Sequence, residues 1–288
     1  MRRQLLAAAA SAGGLRIVRA APPPPVRIGI TAVFLDDEVG FLRTWRDWLA
    51  QRLLRPVEFV TRANYREVIE LIRTRGLDFA WVCGYPYVRH RADLRLVAVP
   101  LWQGKPLYRS YIIVGARDEN SRSLFDLAGR IFAFSDPDSN SGHLYPRVAL
   151  IRAGRDPDTF FARTFFTWAH RRVVQAVAEG VAHGGAIDGY VYDVVAELQP
   201  ELTARTRVVE RSGEFGYPPI VARRDIGAEQ ERAFFDALSA MTIDPDGRAL
   251  LRRMHLDGFV RGSAALFDSI ADMMRADTRF REAKTARA

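Results

Sequence analysis

The alternation of short apolar strands with amphipathic helices between residues 26 and 82 is the feature that most constrains the fold of this chain. Val26–Thr31 alternates in polarity and is rich in β-branched residues, which predicts a strand. A face of large apolar side chains predicts a helix over about residues 39–54. Two further strands are predicted at Val57–Thr61 and Asp78–Val82, with a helix between them that begins after Asn64. Short links between such elements predict a parallel sheet covered by helices, and ligands bind such sheets beyond the carboxyl ends of the strands.

Composition excludes several classes of function. The 288 residues are 48% hydrophobic and 26% charged, which is ordinary for a globular protein with a sizeable core. The single cysteine, Cys83, excludes an intrachain disulfide and a cysteine-built metal site. The five histidines lack ligand spacing, so we expect no metal and no cofactor. Lysines and arginines are scattered and nearly balanced by acids, so we expect no nucleic-acid partner.

The N-terminus has the three parts of a secretory signal. Arg2 and Arg3 are followed by a short apolar run, Leu5–Ala10, and by the small residues Val18-Arg-Ala20 before Ala21. We therefore expect residues 1–20 to be a signal peptide, residues 21–25 to be a proline-rich tether, and the mature chain to be a soluble periplasmic protein that is not inserted in the membrane. The alternative is a disordered tail. Without residues 1–20, which hold four arginines and no acid, the net charge falls from +8 to +4, a mild bias that would attract an anion.

The stretch Ser135–Pro146 carries the strongest indication of a binding site. It follows an apolar run, predicted as a strand over residues 130–134, and precedes a predicted helix that begins near Leu144. The first N–H groups of a helix have no intrahelical partner, and the helix dipole favours negative charge there. Ser139 and Ser141 would add hydroxyl groups, so this stretch fits a cradle for a small oxyanion. The other interpretation is that these residues are ordinary N-caps.

The segment Asp136-Pro-Asp-Ser-Asn-Ser-Gly142, followed by Leu144-Tyr-Pro146, resembles the anion-binding loop of the phosphate, phosphite and phosphonate solute-binding proteins of ABC transporters. The resemblance extends from about Val26 to about Leu266. It implies that four residues of the loop hold the ligand: Ser139, Asn140, Ser141 and Gly142.

The same resemblance implies an α/β fold of the type II periplasmic-binding-protein architecture. Each of two lobes would be a mostly parallel sheet flanked by helices, and two crossover strands would join them. Predicted lobe 1 comprises residues 26–112 and 212–275, predicted lobe 2 comprises residues 113–211, and residues 276–288 are predicted to form a C-terminal tail that is frayed from about Arg279.

Three further residues are candidate ligand contacts by resemblance. Tyr85 follows the third strand and would donate its phenol, or would only pack with its hydroxyl in water. His170 would donate a ring N–H from a helix start, or would cap its own helix. Asp188 would accept a bond from a ligand that keeps one proton. Arg171 stands where phosphonate binders tend to have an acid, which favours a fully ionised ligand if its side chain faces the site.

Two longer-range structural expectations complete the sequence prediction. Tyr108–Ala116 is expected to be one long strand that crosses between lobes. Asp156-Pro-Asp158 is expected to start a short helix that buries the phenylalanines of residues 160–166.

The predicted function is capture of a small tetrahedral oxyanion in the cleft between the lobes, for delivery to the membrane permease of an ABC transporter. An alternative partner is a sensor kinase. An enzyme of the same build is less favoured, because the Asn-Ser-Gly sequence around Ser141 lacks the GxSxG pattern of a nucleophile elbow.

Overall fold

The structure is a computed structural model that describes residues 23–31 and 39–287. The predicted signal segment, residues 1–20, lies outside the described residues, as do residues 21 and 22 of the predicted tether.

The described strands alternate with helices along most of the chain. The strands are β1 Val26–Thr31, β2 Val57–Arg62, β3 Phe79–Trp81, β4 Leu94–Leu101, β5 Leu107–Tyr108, β6 Ser110–Gly115, β7 Ile131–Phe134, β8 Arg163–Phe166, β9 Gly184–Asp188, β10 Thr206–Arg211, β11 Phe215–Gly216, β12 Ile220–Arg223 and β13 Gly258–Val260. The helices are α1 Val39–Leu53, α2 Tyr65–Arg73, α3 Gly84–Arg89, α4 Tyr145–Arg152, α5 His170–Ala178, α6 Gly189–Leu198, α7 Pro200–Thr203, α8 Ala228–Ala240, α9 Pro245–Arg253 and α10 Asp268–Thr285. Single helical turns cover Leu124–Leu127, Asn140–Leu144 and Ala264–Phe267.

Lobe 1 is built on a six-stranded sheet in the order β13-β4-β12-β3-β1-β2. The predicted strand–helix alternation of its first part is confirmed: β1 lies between β2 and β3 and is parallel to both. Ile28 of β1 therefore aligns with Phe59 on one side and Phe79 on the other. The predicted cap of α2 also forms, because Asn64 Oδ1 accepts the N–H of Glu67 at 3.0 Å.

Lobe 2 is built on a five-stranded sheet in the order β10-β6-β9-β7-β8. Strand β7 is parallel to β8 and β9, whereas β6 is antiparallel to β9 and β10. The carboxyl end of β7 leads into the loop singled out by the sequence, and the carboxyl end of β9 leads into Asp188.

The two-lobed α/β architecture is confirmed, but both sheets are mixed rather than mostly parallel. Strands that return from the other lobe, such as β12 in lobe 1, pair antiparallel with their neighbours. Two short strands between the sheets, β5 and β11, pair antiparallel and form the predicted double crossing. The expected long strand Tyr108–Ala116 is consequently broken at Arg109, where the chain passes from one sheet to the other. Ser110–Gly115 pairs entirely in the sheet of lobe 2, although residues up to 112 were predicted in lobe 1.

Two local predictions were wrong. Asp156–Asp158 forms a turn rather than a helix, and part of the aromatic stretch after it is the edge strand β8. The end of the chain is not frayed from Arg279, because α10 continues to Thr285. Lys284 donates to Asp158 at 2.7 Å, and this bond holds the last turn of α10 on lobe 2.

Helix α10 lies across both lobes. It packs against α3 of lobe 1 and α4 of lobe 2. Arg147 of α4 and Asp277 of α10 are both buried and are joined at 3.1 Å. No helix in the described part of the chain is both long enough and apolar enough to cross a membrane.

Candidate functional site

The loop between β7 and α4 enters its helix through one widened turn. Leu144 N–H donates to the carbonyl of Ser139 at 3.0 Å, five residues back, so Asn140–Leu144 is a π-helical turn. Pro146 has no N–H to donate to the carbonyl of Gly142, four residues earlier, as a regular helix would require. The Gly142 carbonyl instead accepts the N–H of Ser135 at 3.3 Å. Single π-helical turns are frequent at functional sites.

The loop contains three buried side-chain atoms with no hydrogen-bond partner among the described residues: Ser135 Oγ, Asn140 Oδ1 and Ser141 Oγ. The hydroxyl of Ser139, in contrast, accepts the N–H of Gly142 at 3.0 Å and caps the turn. Buried polar atoms in proteins are nearly always paired, because an unpaired one costs about 1–3 kcal/mol. Three such atoms within seven residues therefore leave this loop able to hydrogen-bond a group outside the protein, such as a ligand or water.

Position 142 requires glycine because the backbone there passes very close to Ser135, at the start of the same loop. A Cβ at this position would lie 1.8 Å from Ser135 Oγ and 2.7 Å from Ser135 Cβ. The hydroxyl of Ser135 could rotate away, but its Cβ is fixed to the backbone, so a larger residue would move the loop.

His170 begins α5 and faces the same loop. Its Nδ1 accepts the backbone N–H of Asp188 at 3.0 Å, which leaves the proton of the neutral ring on Nε2. Burial lowers the pKa of His170 to about 3, so the ring is neutral at physiological pH. Nε2 lies 3.5 Å from Ser139 Oγ, and in this tautomer its N–H donates a hydrogen bond to that oxygen. It therefore acts as a hydrogen-bond donor and not as a base that would activate the serine.

Asp188 ends β9 and caps α6, since its Oδ1 accepts the N–H of Tyr190 at 2.9 Å. Burial raises the pKa of this carboxyl to about 8, although the helix N–H groups act in the opposite direction. Asp188 is therefore mainly protonated at neutral pH and can either donate its proton or accept a bond on the other oxygen.

Two residues from outside lobe 2 complete the surroundings of Asn140, and neither was among the predicted site residues. Tyr108 of β5 accepts from Asn140 Nδ2 at 2.9 Å, and the sulfur of Cys83 accepts the Asn140 N–H at 3.3 Å. Burial raises the pKa of the Cys83 thiol to about 11, so the sulfur is a neutral thiol. Cys83, which the sequence analysis considered only for disulfide and metal chemistry, is thus a contact between the lobes.

Six of the seven predicted site residues lie in this buried cluster: Ser139, Asn140, Ser141, Gly142, His170 and Asp188. Tyr85 does not join it through a described contact. Its half-buried phenol lies near the charges of Arg89 and Asp277, towards α10. A ligand contact from Tyr85 stays a prediction. Arg171, the departure from the family pattern, donates to Gln199 at 3.2 Å.

A small cavity lies beside the cluster and has walls from both lobes. Lobe 1 contributes Thr31, Ala63, Asn64 and Tyr65, and lobe 2 contributes Ser135, Asp136, Trp168, Ala169 and His170. Trp168 is half exposed and has a φ of 63°, a left-handed conformation that costs a residue other than glycine about 1–3 kcal/mol. The predicted site residues did not include Tyr65, Trp168 or Ser135, although Ser135 begins the stretch that the sequence singled out. The only local indication was that Tyr65 follows the Asn64 cap and Ser135 begins the loop.

The site carries no metal-binding cluster within the described ranges, where no three His, Cys, Asp or Glu side chains converge suitably. None of the nine residues that line the cavity is a lysine or an arginine. Its polar groups are hydroxyls, amides, the neutral imidazole and the carboxyl of Asp136, whose pKa is raised by burial. The arrangement can bind a small polar group through neutral donors.

Comparison with known proteins gives a family match over most of the chain. The model of the family described as "ABC transporter, phosphonate, periplasmic substrate-binding protein" matches residues 28–267. A phosphate-import protein PhnD of Mycolicibacterium smegmatis is 28% identical over 199 residues, which are 65% of this chain and 59% of that protein. A probable ABC transporter phosphite-binding protein of Prochlorococcus marinus is 22% identical over 218 residues, which are 73% of each.

Solved structures show the same fold. A binding protein component of an ABC phosphonate transporter from Pseudomonas aeruginosa superimposes with a TM-score of 0.80 at 21% identity, covering 88% of each chain. A Prochlorococcus marinus protein solved in complex with methylphosphonate gives a TM-score of 0.79 at 20% identity, covering 87% of this chain and 97% of that one.

Proposed function

We propose that this chain, which belongs to the phosphonate family of ABC-transporter periplasmic substrate-binding proteins, captures a small tetrahedral oxyanion of the phosphonate, phosphite or phosphate type between its lobes. We further propose that it does so outside the cytoplasmic membrane, delivers the anion to a membrane permease, and catalyses no reaction. The ligands named for the mycobacterial and Prochlorococcus relatives support this class of anion.

The observation that carries the proposal is the set of unpaired buried atoms in the loop. Ser135 Oγ and Ser141 Oγ can each donate one hydrogen bond to a phosphoryl oxygen, and His170 Nε2–H can donate a third. Hydrogen bonds to a charged group contribute about 1.5–3 kcal/mol each. Three or four such bonds approach the roughly 8 kcal/mol that corresponds to micromolar affinity.

The charge of the site favours a ligand with a single negative charge. None of the described residues that line the cavity carries a guanidinium or ammonium group, and the pKa of Asp188 is raised to about 8. A second negative charge on the ligand would meet no cation among these lining residues and would lie near the carboxyl of Asp136. A singly protonated phosphonate or phosphite can place its own proton towards one of these carboxyl groups.

Binding between the lobes would favour the closed arrangement. Thr31 and Tyr65 line the cavity from lobe 1, while Ser135 and His170 line it from lobe 2. A ligand that contacts both walls binds the closed form better than the open form, and the difference in affinity shifts the equilibrium. A membrane permease can then distinguish loaded from unloaded protein by shape.

The experiment is a thermal-shift and calorimetric screen of the purified chain against methylphosphonate, phosphite, phosphate, sulfate and taurine. We expect stabilisation by at least one phosphorus oxyanion, more weakly or not at all by sulfate, and loss of the effect in Ser141→Ala. Stabilisation by taurine alone, or by none of the five, would contradict the proposal.

The choice between a permease and a sensor kinase as partner depends on the complex and not on the pocket. Reconstitution with an ABC permease of the phosphonate-transporter type should give ligand-dependent ATP hydrolysis. Ligand-dependent phosphorylation of a neighbouring kinase, without that hydrolysis, would favour the sensor.

A further inference from the structure

The second aspartate of the loop, Asp138, takes part in contacts that its sequence context does not predict. Its carboxylate lies between two arginines of lobe 1: Arg89 Nη1 at 3.3 Å from Oδ1, and Arg66 Nε at 3.6 Å from Oδ2. Only 12% of the Asp138 side chain is exposed. Arg66 belongs to α2 and Arg89 to α3, so both ion pairs cross from lobe 2 to lobe 1.

Asp136 adds a second crossing contact and fixes the position of Asp138. Its Oδ1 accepts the Asp138 N–H at 2.7 Å, which holds the turn. Its Oδ2 accepts the backbone N–H of Tyr65 at 3.3 Å across the gap between lobes. The sequence Asp136-Pro-Asp138 is thus turn chemistry and also the point at which the anion loop is attached to the opposite lobe.

We infer that Asp138, with Arg66 and Arg89, forms an interlobe latch that determines how long the closed lobes retain their ligand. This inference rests on the proposed binding function, but the latch itself is made only of protein groups. Opening the lobes separates the Asp138 carboxylate from both guanidinium groups. Contacts that exist in only one of two conformations shift the equilibrium towards that conformation, whether or not a ligand is bound.

The size of the effect is limited by exposure. The side chains of Arg66 and Arg89 are 76% and 52% exposed, so solvent and salt screen the attraction. Loss of both pairs should therefore accelerate ligand release about fivefold rather than by orders of magnitude. The loop would not move in the closed form, so the association rate should change little.

The ligand-independent test is small-angle X-ray scattering of the full chain without added anion. Asp138→Asn removes the charge and keeps the shape, and we expect a larger radius of gyration than for the unmodified chain. The matched control is Asp93→Asn, since Asp93 pairs with Arg73 at 2.8 Å entirely within lobe 1. Scattering from Asp138→Asn that equals scattering from Asp93→Asn and from the unmodified chain would overturn the latch.

The kinetic test follows methylphosphonate release by stopped-flow fluorescence. We expect faster release in Asp138→Asn with an unchanged association rate, and near-normal release in Asp138→Glu and Asp93→Asn. Raising NaCl from about 0.05 to 0.5 M should accelerate release from the unmodified chain and have less effect on Asp138→Asn. Equal release rates in all four proteins would overturn the inference.

The two proposals fail in different ways. If the unmodified chain binds no phosphorus oxyanion, the proposed function fails, and the scattering comparison still decides whether the latch exists. If methylphosphonate binds and neither scattering nor release responds to Asp138→Asn, only the latch fails.

Discussion

Replacing Ser141 by alanine should make the protein more stable and make it a poorer binder. Ser141 is fully buried, and among the described residues only the phenol of Tyr108 approaches its hydroxyl, without a hydrogen bond of normal geometry. Folding therefore desolvates the hydroxyl with little compensation. An unpaired buried hydroxyl costs about 1–3 kcal/mol of stability. Alanine avoids this cost but loses a little packing, which offsets part of the gain. We therefore expect the free energy of unfolding to rise by about 1 kcal/mol, or the melting temperature by about 2–4 °C for a chain of this size.

The same substitution should weaken binding of a phosphorus oxyanion. A hydrogen bond from this hydroxyl to a charged oxygen contributes about 1.5–3 kcal/mol, which corresponds to roughly 10- to 150-fold in Kd. Urea unfolding without ligand and isothermal titration with methylphosphonate measure the two effects on the same preparation.

The matched control is Ser121→Ala. Ser121 is equally buried, but its hydroxyl donates to Asp118 at 2.8 Å in a region apart from the cluster. This variant should lose stability and retain its affinity. If Ser141→Ala destabilises the protein as Ser121→Ala does and leaves Kd unchanged, the hydroxyl is structural and the reasoning is refuted.

Three other substitutions test separate parts of the structure. Gly142→Ala should abolish oxyanion binding because its Cβ has no room, whereas Gly40→Ala, whose Cβ would meet nothing within 4 Å, should bind normally in the same titration. Asp277→Asn should lower the free energy of unfolding by about 2 kcal/mol, because the buried guanidinium of Arg147 in α4 loses one of its two carboxylate partners and keeps Asp158 at 2.7 Å; a loss below about 0.5 kcal/mol in urea unfolding would contradict this. Asp188→Asn should change the pH dependence of stability. The pKa of this carboxyl is about 8 when folded and near 3.8 when unfolded, so the folded chain binds the extra proton and its stability falls as pH rises between these values. Above about pH 6.5, where histidine titration no longer opposes it, the fall should reach about 1.5 kcal/mol by pH 8 and should vanish in the variant; equal pH profiles would be the contrary result.

Local sequence rules predicted the elements that depend on local interactions. The limits of β1 agree with the predicted Val26–Thr31, and those of β2 agree within one residue with the predicted Val57–Thr61. The loop before α4 was also recognisable, since its hydroxyls and glycine are adjacent in sequence and its position at a helix start follows from the preceding strand. Residues of this kind impose their conformation through nearest neighbours, and a single sequence contains that information.

The wrong predictions concern segments whose structure is decided by distant partners. The phenylalanines after Asp158 stand as two adjacent pairs, a pattern that fits either a helix or a strand, and pairing with β7 places the second pair in strand β8. The polar sequence of the last turns of α10 predicted fraying, but Lys284 donates to Asp156 and Asp158, more than 120 residues earlier. The local sequence pattern indicates neither these ion pairs nor the pairing of β8 with β7.

The same limit applies to the site. Cys83 and Asn140 are 57 residues apart, and the contact between them depends on how the lobes meet. Tyr108 reaches the site because the chain crosses between lobes at that point, whereas Tyr85, the tyrosine predicted from the sequence, lies towards α10. The neutral state of His170 also follows from burial and from the donor that faces Nδ1, which a sequence does not contain.

A crystal structure of the chain with methylphosphonate tests the central claim most directly. The account predicts the phosphorus atom between the lobes, with phosphoryl oxygens within about 3.2 Å of Ser141 Oγ and His170 Nε2. Methylphosphonate bound elsewhere, with neither of these groups within hydrogen-bond distance of it, would contradict it.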